Sequence, residues 1–335
     1  MATIGNSFLN LIDVYKRTDP KSGAITPVIE ALHTLNPLMQ DAVTIEANQG
    51  TKHLSTIRTG LPDVTWGRLY QGIPNSKSGT AQVEDTTGFV EGRSSVDERL
   101  LAISKNPAAV RMSEAQPFLE AISQNVQTNF FYSNTTTTPE RFKGVGARYN
   151  TLSNSQVIAG GGAGSDNTSV WFITWGERQT SLIYPEGTKA GIDRLDRGSQ
   201  QVADDQGNYY FAKVEEFRQH VGVTVGDWRY NARIANIDVS DLRAGSVDIY
   251  ALFRKAYWRL QGRRNSKIDN GGMISMGRTV IYANRDVLEA LDGATTEDNK
   301  VLLKPTEVEG KEVLTYRGLP IRETDALINA ETLVS

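Results

Sequence analysis

Apolar positions along the chain change their spacing several times, and each change marks an element. Phe8, Leu11, Ile12 and Tyr15 fall on one helical face, which predicts a short helix over Asn6–Tyr15 inside an N-terminal arm, Met1–Asn48. The polar stretch Lys16–Ala24 interrupts that face, and Pro20, Pro27 and Pro37 keep the rest of the arm partly extended. Two runs then alternate sparse apolar residues with polar ones, Lys52–Thr59 and Ala81–Arg93, on either side of a middle rich in Gly, Pro and Ser. The first run holds Leu54 and Ile57, the second Val83, Phe89 and Val90, with Trp66, Leu69 and Tyr70 between them. A two-stranded ribbon is marginal in water. This one, Thr51–Asp97, carries too little apolar surface to stand without partners from elsewhere.

After the ribbon the period becomes helical. Phe118, Leu119, Ile122, Val126 and Phe130 mark one face of a helix over Ser113–Tyr132, roughly 30 Å long at 1.5 Å per residue. Ser113 and Gln116 have capping-box spacing, although Pro117 makes the first turn irregular. Pro139–Tyr149 predicts a second short helix, and Ala159–Asn167 a flexible Gly-rich loop. Strand spacing returns at Val170–Trp175 and Gln179–Tyr184, read as a hairpin about Gly176. The turn signal Asp204–Asn208 then introduces a longer pair, Tyr209–Gln219 and Val221–Asn236, with Phe211, Val214 and Phe217 facing Val223, Val225 and Trp228. Ser246–Leu260 is an amphipathic helix with Ile249, Leu252, Phe253, Ala256 and Leu260 on one face. Arg254, Lys255, Arg259, Arg263 and Arg264 lie on its other face and end. Thr279–Tyr282 reads as a buried strand, Arg285–Leu291 as a helix, and Glu312–Tyr316 with Leu319–Glu323 as a hairpin about Arg317 and Gly318. No repeat of fixed period is present.

At 335 residues the chain suits two domains, and 39% hydrophobic with 22% charged residues is ordinary for a folded protein. The net charge of −3 does not mark a nucleic-acid or membrane binder. Without a run of 18 apolar residues or a signal-peptide pattern, the expectation is a soluble protein that stays in a cytoplasm. The sequence has no Cys, which removes disulfides, thiolate metal sites and a thiol nucleophile, and only His33, His53 and His220 offer imidazole chemistry. Gly160–Gly164 is the one phosphate-loop candidate. It lacks the Lys and Ser/Thr of a nucleotide loop and has Ser165 where a dinucleotide fingerprint needs glycine, so a surface loop is favoured. Glu215 and Glu216 are adjacent on a strand and point to opposite faces, and Asp204 with Asp205 sits in a turn signal, so structural or solvated roles are favoured for all four. His53 and His220 lie in strand-like runs with no orienting acid, and no GxSxG or HExxH occurs. The basic helix, with Tyr257 and Trp258, is the best nucleic-acid candidate, but an interface role fits its composition better.

Two segments carry a resemblance. TVIYANRDVLEAL, Thr279–Leu291, places Asn284 directly after a strand and before a helix. YRGLPIRETDALI, Tyr316–Ile328, contains Gly318, Pro320, Ile321, Thr324 and Asp325 in the spacing G-x-P-[VI]-x-x-T/S-D. Together with the order of arm, ribbon, long helix, mixed sheet and closing hairpin over about residues 1–335, they resemble the major capsid proteins of tailed bacteriophages. The most similar in length and style are those of short-tailed phages of the epsilon fifteen type. The resemblance implies an α+β, Hong Kong 97-like capsid fold, with Ser113–Tyr132 as the spine helix. It implies an arm over 1–48, an extended loop over 49–100, a peripheral domain from 101–150 and 208–240, and an axial domain from 151–207 and 241–335. One departure is that the pair Tyr209–Asn236 precedes the helix and strand of residues 246–282, which suggests a rearranged topology. The function implied is that of a non-enzymatic protein without cofactors that self-assembles, as hexamers and pentamers, into an icosahedral virion shell around double-stranded DNA. Assembly is expected in the host bacterial cytoplasm, with no membrane partner. A decoration protein, a separate scaffolding protein, a portal and non-specific contact with packaged DNA are the further partners implied. The ribbon would lie over a neighbouring subunit. Its balanced charge, 6 Lys or Arg against 6 Asp or Glu over Thr51–Leu100, suits matched contacts between copies. The candidate contact residues are Trp66, Arg68, Lys77, Glu84, Glu91, Arg93, Glu98 and Arg99. An encapsulating compartment shell or a tail-tube component is the alternative, and behind it a carbohydrate- or phosphate-handling enzyme built on the Gly-rich loop and the Asp204–Asp205 turn.

Overall fold

The computed structural model describes residues 36–204, 206–261, 277–297, 303–308 and 311–335. The expected helix Asn6–Tyr15 lies outside them, as do His33, Asp205, Arg263 and Arg264. Helix α1 (Leu38–Asp41) and strand β1 (Thr44–Glu46) precede the ribbon strands β2 (Lys52–Gly60) and β3 (Gly79–Asp97). Then come α2 (Glu98–Ile103), α3 (Pro107–Tyr132), β4 (Val157–Ala159), β5 (Asn167–Trp175), β6 (Thr180–Tyr184), β7 (Ile192–Ala203), β8 (Tyr209–Val225) and β9 (Ala232–Asp238). Helices α4 (Val239–Arg243) and α5 (Ile249–Arg259), strand β10 (Arg278–Ala283), helix α6 (Arg285–Glu297) and strands β11 (Leu303–Val308), β12 (Lys311–Tyr316) and β13 (Leu319–Glu323) complete the chain. The described residues divide into two compact units. Phe89–Gln127 with Lys189–His220 make one, and the larger holds residues up to Gly88, Thr128–Thr188 and Val221–Ser335; the divisions fall inside β3, α3 and β8.

In the larger unit β5 is the centre. Its nine residues are all buried, and both its edges are occupied, by antiparallel β9 and antiparallel β10. Beyond β10 the sheet continues through parallel β13 and then β12 and β11. Alternation along β5 sends Val170 and Phe172 into a cluster with Phe253 and Ala256 of α5, Val287 and Leu291 of α6, and Tyr316. Each fully buried Val, Leu or Phe among them contributes about 1.5–3 kcal/mol. The alternate residues Trp171 and Trp175 meet the end of α3, with Phe131 6.1 Å from Trp171 and Phe130 5.4 Å from Trp175. A buried polar network closes this side. Glu331 accepts from Arg233 Nη2 (2.9 Å), Ser169 Oγ (2.7 Å) and the Tyr132 hydroxyl. Burial and the neighbouring Glu331 carboxylate push the Tyr132 phenol up, so it stays a neutral donor. The C-terminal segment is also tied through the Asn236 side chain, which donates to the Val334 carbonyl (2.8 Å) and accepts from the Val334 N–H (2.9 Å).

In the smaller unit β7 and β8 form a long antiparallel hairpin. Phe217 of β8 stacks on Phe118 of α3 with ring centroids 5.5 Å apart. Val96, Leu100, Leu101 and Val110 make a small cluster around α2, whose N-cap is Asp97, accepting from the Arg99 N–H.

Several expectations are corrected. The long helix begins at Pro107, six residues before Ser113: Asn106 caps it by accepting from the Ala109 N–H (3.2 Å), Pro107 occupies the first position, and Pro117 is interior. Pro139–Tyr149 is not a helix. Its N–H groups go elsewhere: Val145 and Gly146 donate to the Phe130 and Phe131 carbonyls (2.8 and 2.9 Å), completing the end of α3. The residues Val170–Trp175 and Gln179–Tyr184 do not make a hairpin: β6 meets β5 only at one parallel bridge, Trp175↔Thr180, and pairs with β8 and β1, while β9 and β10 flank β5. Tyr209–Gln219 and Val221–Asn236 do not pair either. β8 runs unbroken through His220, and the turn at Asp204 joins it to β7, a polar strand with no signal in the sequence. The Gly-rich loop is packed rather than free: Gly160 and Gly162 donate to the Ala235 and Asn236 carbonyls, and a Cβ on Gly160 would come within 2.6 Å of Asn236 O. The hairpin about Arg317 and Gly318 is present, both residues having left-handed φ (49° and 82°) as a two-residue I′ turn requires.

Two substitutions of opposite sign test this packing. A Cβ at Gly146 would lie 2.2 Å from Phe131 O, so Gly146→Ala should destabilise by about 1–3 kcal/mol. Gly293, exposed in α6 with open space around its Cα, should tolerate Ala with a gain of about 0.5–1 kcal/mol. Urea unfolding of the two variants against the parent checks both.

Candidate intersubunit surface

The ribbon is firm at its root and bare at its tip. β2 and β3 pair antiparallel from Lys52↔Thr86 to Gly60↔Gly79. The Asn48 side chain brackets Leu54, accepting from its N–H (2.8 Å) and donating to its carbonyl (2.9 Å). Thr87 N–H donates to the Thr51 carbonyl (3.0 Å). β3 is hydrogen-bonded to β8 in the sheet, and Arg148 adds a side-chain anchor, its Nη2 reaching Asp85 Oδ1 (2.7 Å) and the Val223 carbonyl (2.9 Å). Asp85 is only 2% exposed, so losing that guanidinium would leave a buried carboxylate without its partner.

Between the strands, residues 61–78 have no helix or strand and carry Leu61, Val64, Trp66, Leu69, Tyr70 and Ile73, each at least 79% exposed. Six large apolar side chains on one short loop are far more than scattered surface hydrophobics, and they make this loop the candidate contact surface.

The candidate contact residues divide between tip and body. Trp66, Arg68 and Lys77 lie in the exposed loop. The others have partners within the chain: Glu84 pairs with Lys52, Glu91 with Arg218, Glu98 with Lys213 (3.3 Å) and Arg99 with Asp97 (2.8 Å), while Arg93 donates to Gln200 Oε1 (3.3 Å). Leu61, Val64 and Ile73 escape sequence reasoning because they obey no period between Gly60 and Gly79. Arg148 escapes it because nothing in its local sequence points to Asp85, 63 residues away.

The other chemical candidates take structural positions. Glu215 is buried between Arg111 and Arg194, while Glu216 on the opposite face pairs with Arg197 (2.8 Å). Asp204 accepts from the Gln206 and Asn208 N–H groups and closes its turn. His220 packs against Phe89, ring centroids 5.6 Å apart. On the basic helix, Arg259 donates to the Ser155 carbonyl and Tyr257 lies under Arg317 (5.3 Å). Beside it is a cleft of about 790 Å³ that includes Trp228, Trp258, Arg229 and Lys255. Among the described residues no three His, Asp or Glu side chains gather as a metal site.

Residues 20–335 match the family described as major capsid protein GP7. Among solved structures, a chain of bacteriophage epsilon15 superposes with a TM-score of 0.76 at 32% identity, covering 100% of this chain and 99% of that one. The capsid of bacteriophage JBD30 aligns with a TM-score of 0.44 at 10% identity over 89% of this chain and 93% of that one. The SrpI encapsulin complex from Synechococcus elongatus PCC 7942 aligns with a TM-score of 0.44 at 9% identity over 68% and 96%. No curated protein matches. The α+β fold is that of a bacteriophage capsid subunit, Hong Kong 97-like, and it defines a structural, shell-forming protein. The chain belongs to the major capsid protein GP7 family.

The root of the ribbon gives the prediction here. Arg148→Ala leaves the Asp85 carboxylate buried without its counter-charge, which should cost about 3–5 kcal/mol. Limited proteolysis should then cut within residues 52–60 or 79–88 at protease levels that spare the parent, and Arg148→Ala with Asp85→Ala should recover part of the loss.

Proposed function

We propose that the chain builds an icosahedral shell enclosing the double-stranded DNA of a tailed phage, with the ribbon of one copy laid over the next. The exposed apolar tip between Gly60 and Gly79 carries this reading. A lone subunit leaves those side chains in water, and burying them on a neighbour supplies a driving force of roughly 25 cal/mol per Å² for association. Repeated by rotation, such a head-to-tail contact closes rings of copies, which we assign as hexamers and pentamers. In this reading residues 1–48 are the arm and 49–100 the extended loop. Residues 101–150 with 208–240 form the peripheral domain, and 151–207 with 241–335 the axial domain. The subunit performs no catalysis and is located in the virion capsid after assembly in the host cytoplasm. A decoration protein, a separate scaffold and a portal are its proposed partners, and its contact with packaged DNA is non-specific. A compartment shell would share the fold and differ in contents, so nucleic acid inside purified particles separates the two.

Deleting residues 61–78 and joining the strands by a short turn should leave folded subunits that form no closed shells in negative-stain images. Trp66→Ala with Tyr70→Ala should raise the concentration needed for assembly at least tenfold. Shells of normal yield from the deletion variant would overturn the role of the ribbon.

A further inference from the structure

β7 is an edge strand. Among the described residues it pairs with β8 on one side only, and most of its residues are exposed. Edge strands commonly carry charges or bulges that discourage pairing. β7 has both, since Arg197 is the extra residue of a bulge between Asp196 and Gly198. Its charges are also ordered. Asp193, Arg194, Leu195, Asp196 and Arg197 spell D-R-L-D-R, and reversing this run about Leu195 sets every charge against its opposite. Protection from aggregation requires charge on the edge but not this symmetry.

The pairing geometry supports the pattern on both faces. Leu195 stands opposite Glu216 and Asp196 opposite Glu215 in the ladder with β8. Arg197 reaches Glu216, so despite the bulge it lies on the face of Leu195 and Asp193. Arg194 reaches Glu215 (2.9 Å), and Asp196 shares Arg111 with Glu215, so these two lie together on the other face. The side chains retain capacity for a second partner. Arg194 and Arg197 each engage their glutamate through Nε and Nη2, leaving Nη1. Asp193 is exposed and enters no salt bridge among the described residues.

We propose that β7 pairs edge to edge with β7 of a second copy, antiparallel and centred on Leu195, so that Asp193 faces Arg197 and Arg194 faces Asp196 across a two-fold axis. The contact is isologous, each copy presenting the same strand. Main-chain hydrogen bonds supply the adhesion, as in other strand additions. The opposite charges, facing each other across the pair, set the register. The inference rests on the reading of the chain as a self-assembling shell subunit, and adds to it a two-fold contact distinct from the head-to-tail contact of the ribbon.

The absence of Cys from the sequence makes the register measurable. In this pairing Leu195 faces its own copy with Cα atoms about 4.5–5.5 Å apart, inside the disulfide range of about 4.4–6.8 Å. Asp193 lies about 13 Å from its own copy, four residue steps along the strand. Particles are assembled, checked by negative stain, oxidised with copper phenanthroline and run on a non-reducing gel. Leu195→Cys should give covalent dimers as the main species. Asp193→Cys and Arg197→Cys should stay monomeric singly and form dimers when combined, which provides a second test if Leu195→Cys fails to assemble. Intact particles that stay monomeric on the gel with both Leu195→Cys and the double variant would overturn the pairing, including the case where the chain's own arm or another protein covers β7. Dimers from Asp193→Cys alone would overturn the register. If the parent chain forms no particles at all, the shell reading fails instead.

Discussion

A two-stranded ribbon with an exposed apolar tip depends on its root, where β3 is hydrogen-bonded to β8 and a buried ion pair, Arg148 with Asp85, backs that pairing. Arg148 pairs with Asp85 in β3 and bonds the Val223 carbonyl in β8, so its guanidinium adds a side-chain tie to the main-chain pairing of the same two strands. The Asn48 bracket around Leu54 and the Thr51–Thr87 bond fix the other strand. Burying a carboxylate is costly when its partner is lost. The root is therefore tied by several bonds to the sheet, while residues 61–78 have no helix or strand and leave their apolar side chains exposed.

Local signals in the sequence locate the elements whose structure is decided locally. The Arg317–Gly318 turn, the face of α5 and the alternation of β5 all arise from spacing and turn chemistry. Elements decided by distant partners are misread. Pro139–Tyr149 has a helical start signal, but its N–H groups complete the end of α3. The apolar residues of β7, Ile192, Leu195, Val202 and Ala203, follow no strand period, and its charges are matched by distant residues, as Arg194 is by Glu215, so it gives no strand signal. The start of α3 is legible in Asn106–Pro107, a cap followed by a first-turn proline, although the capping-box spacing at Ser113 points to a later start.

The surface is half legible. Trp66, Arg68 and Lys77 can be picked from the Gly- and Pro-rich middle of the ribbon, because aromatic and basic residues stand out there. The charges on the β3 stem cannot be sorted in advance, since whether Glu91 or Glu98 is already matched depends on Arg218 and Lys213, more than a hundred residues later. The basic helix shows the same dependence. Its Arg259 is engaged with the Ser155 carbonyl and its Tyr257 with Arg317, contacts made only by the folded chain.

The network around Glu331 bears on the order of events during synthesis. The side chains of Tyr132, Ser169 and Arg233 converge on this one carboxylate, and Asn236 bonds Val334 at both its carbonyl and its N–H. A ribosome makes those late residues after every strand they stabilise. Until then Arg233 lacks the Glu331 carboxylate that meets it in the folded chain. Strands β5 and β9 and the end of α3 are thus held by a segment that follows them, so a chain cut before Glu331 would lack the carboxylate on which three donors converge.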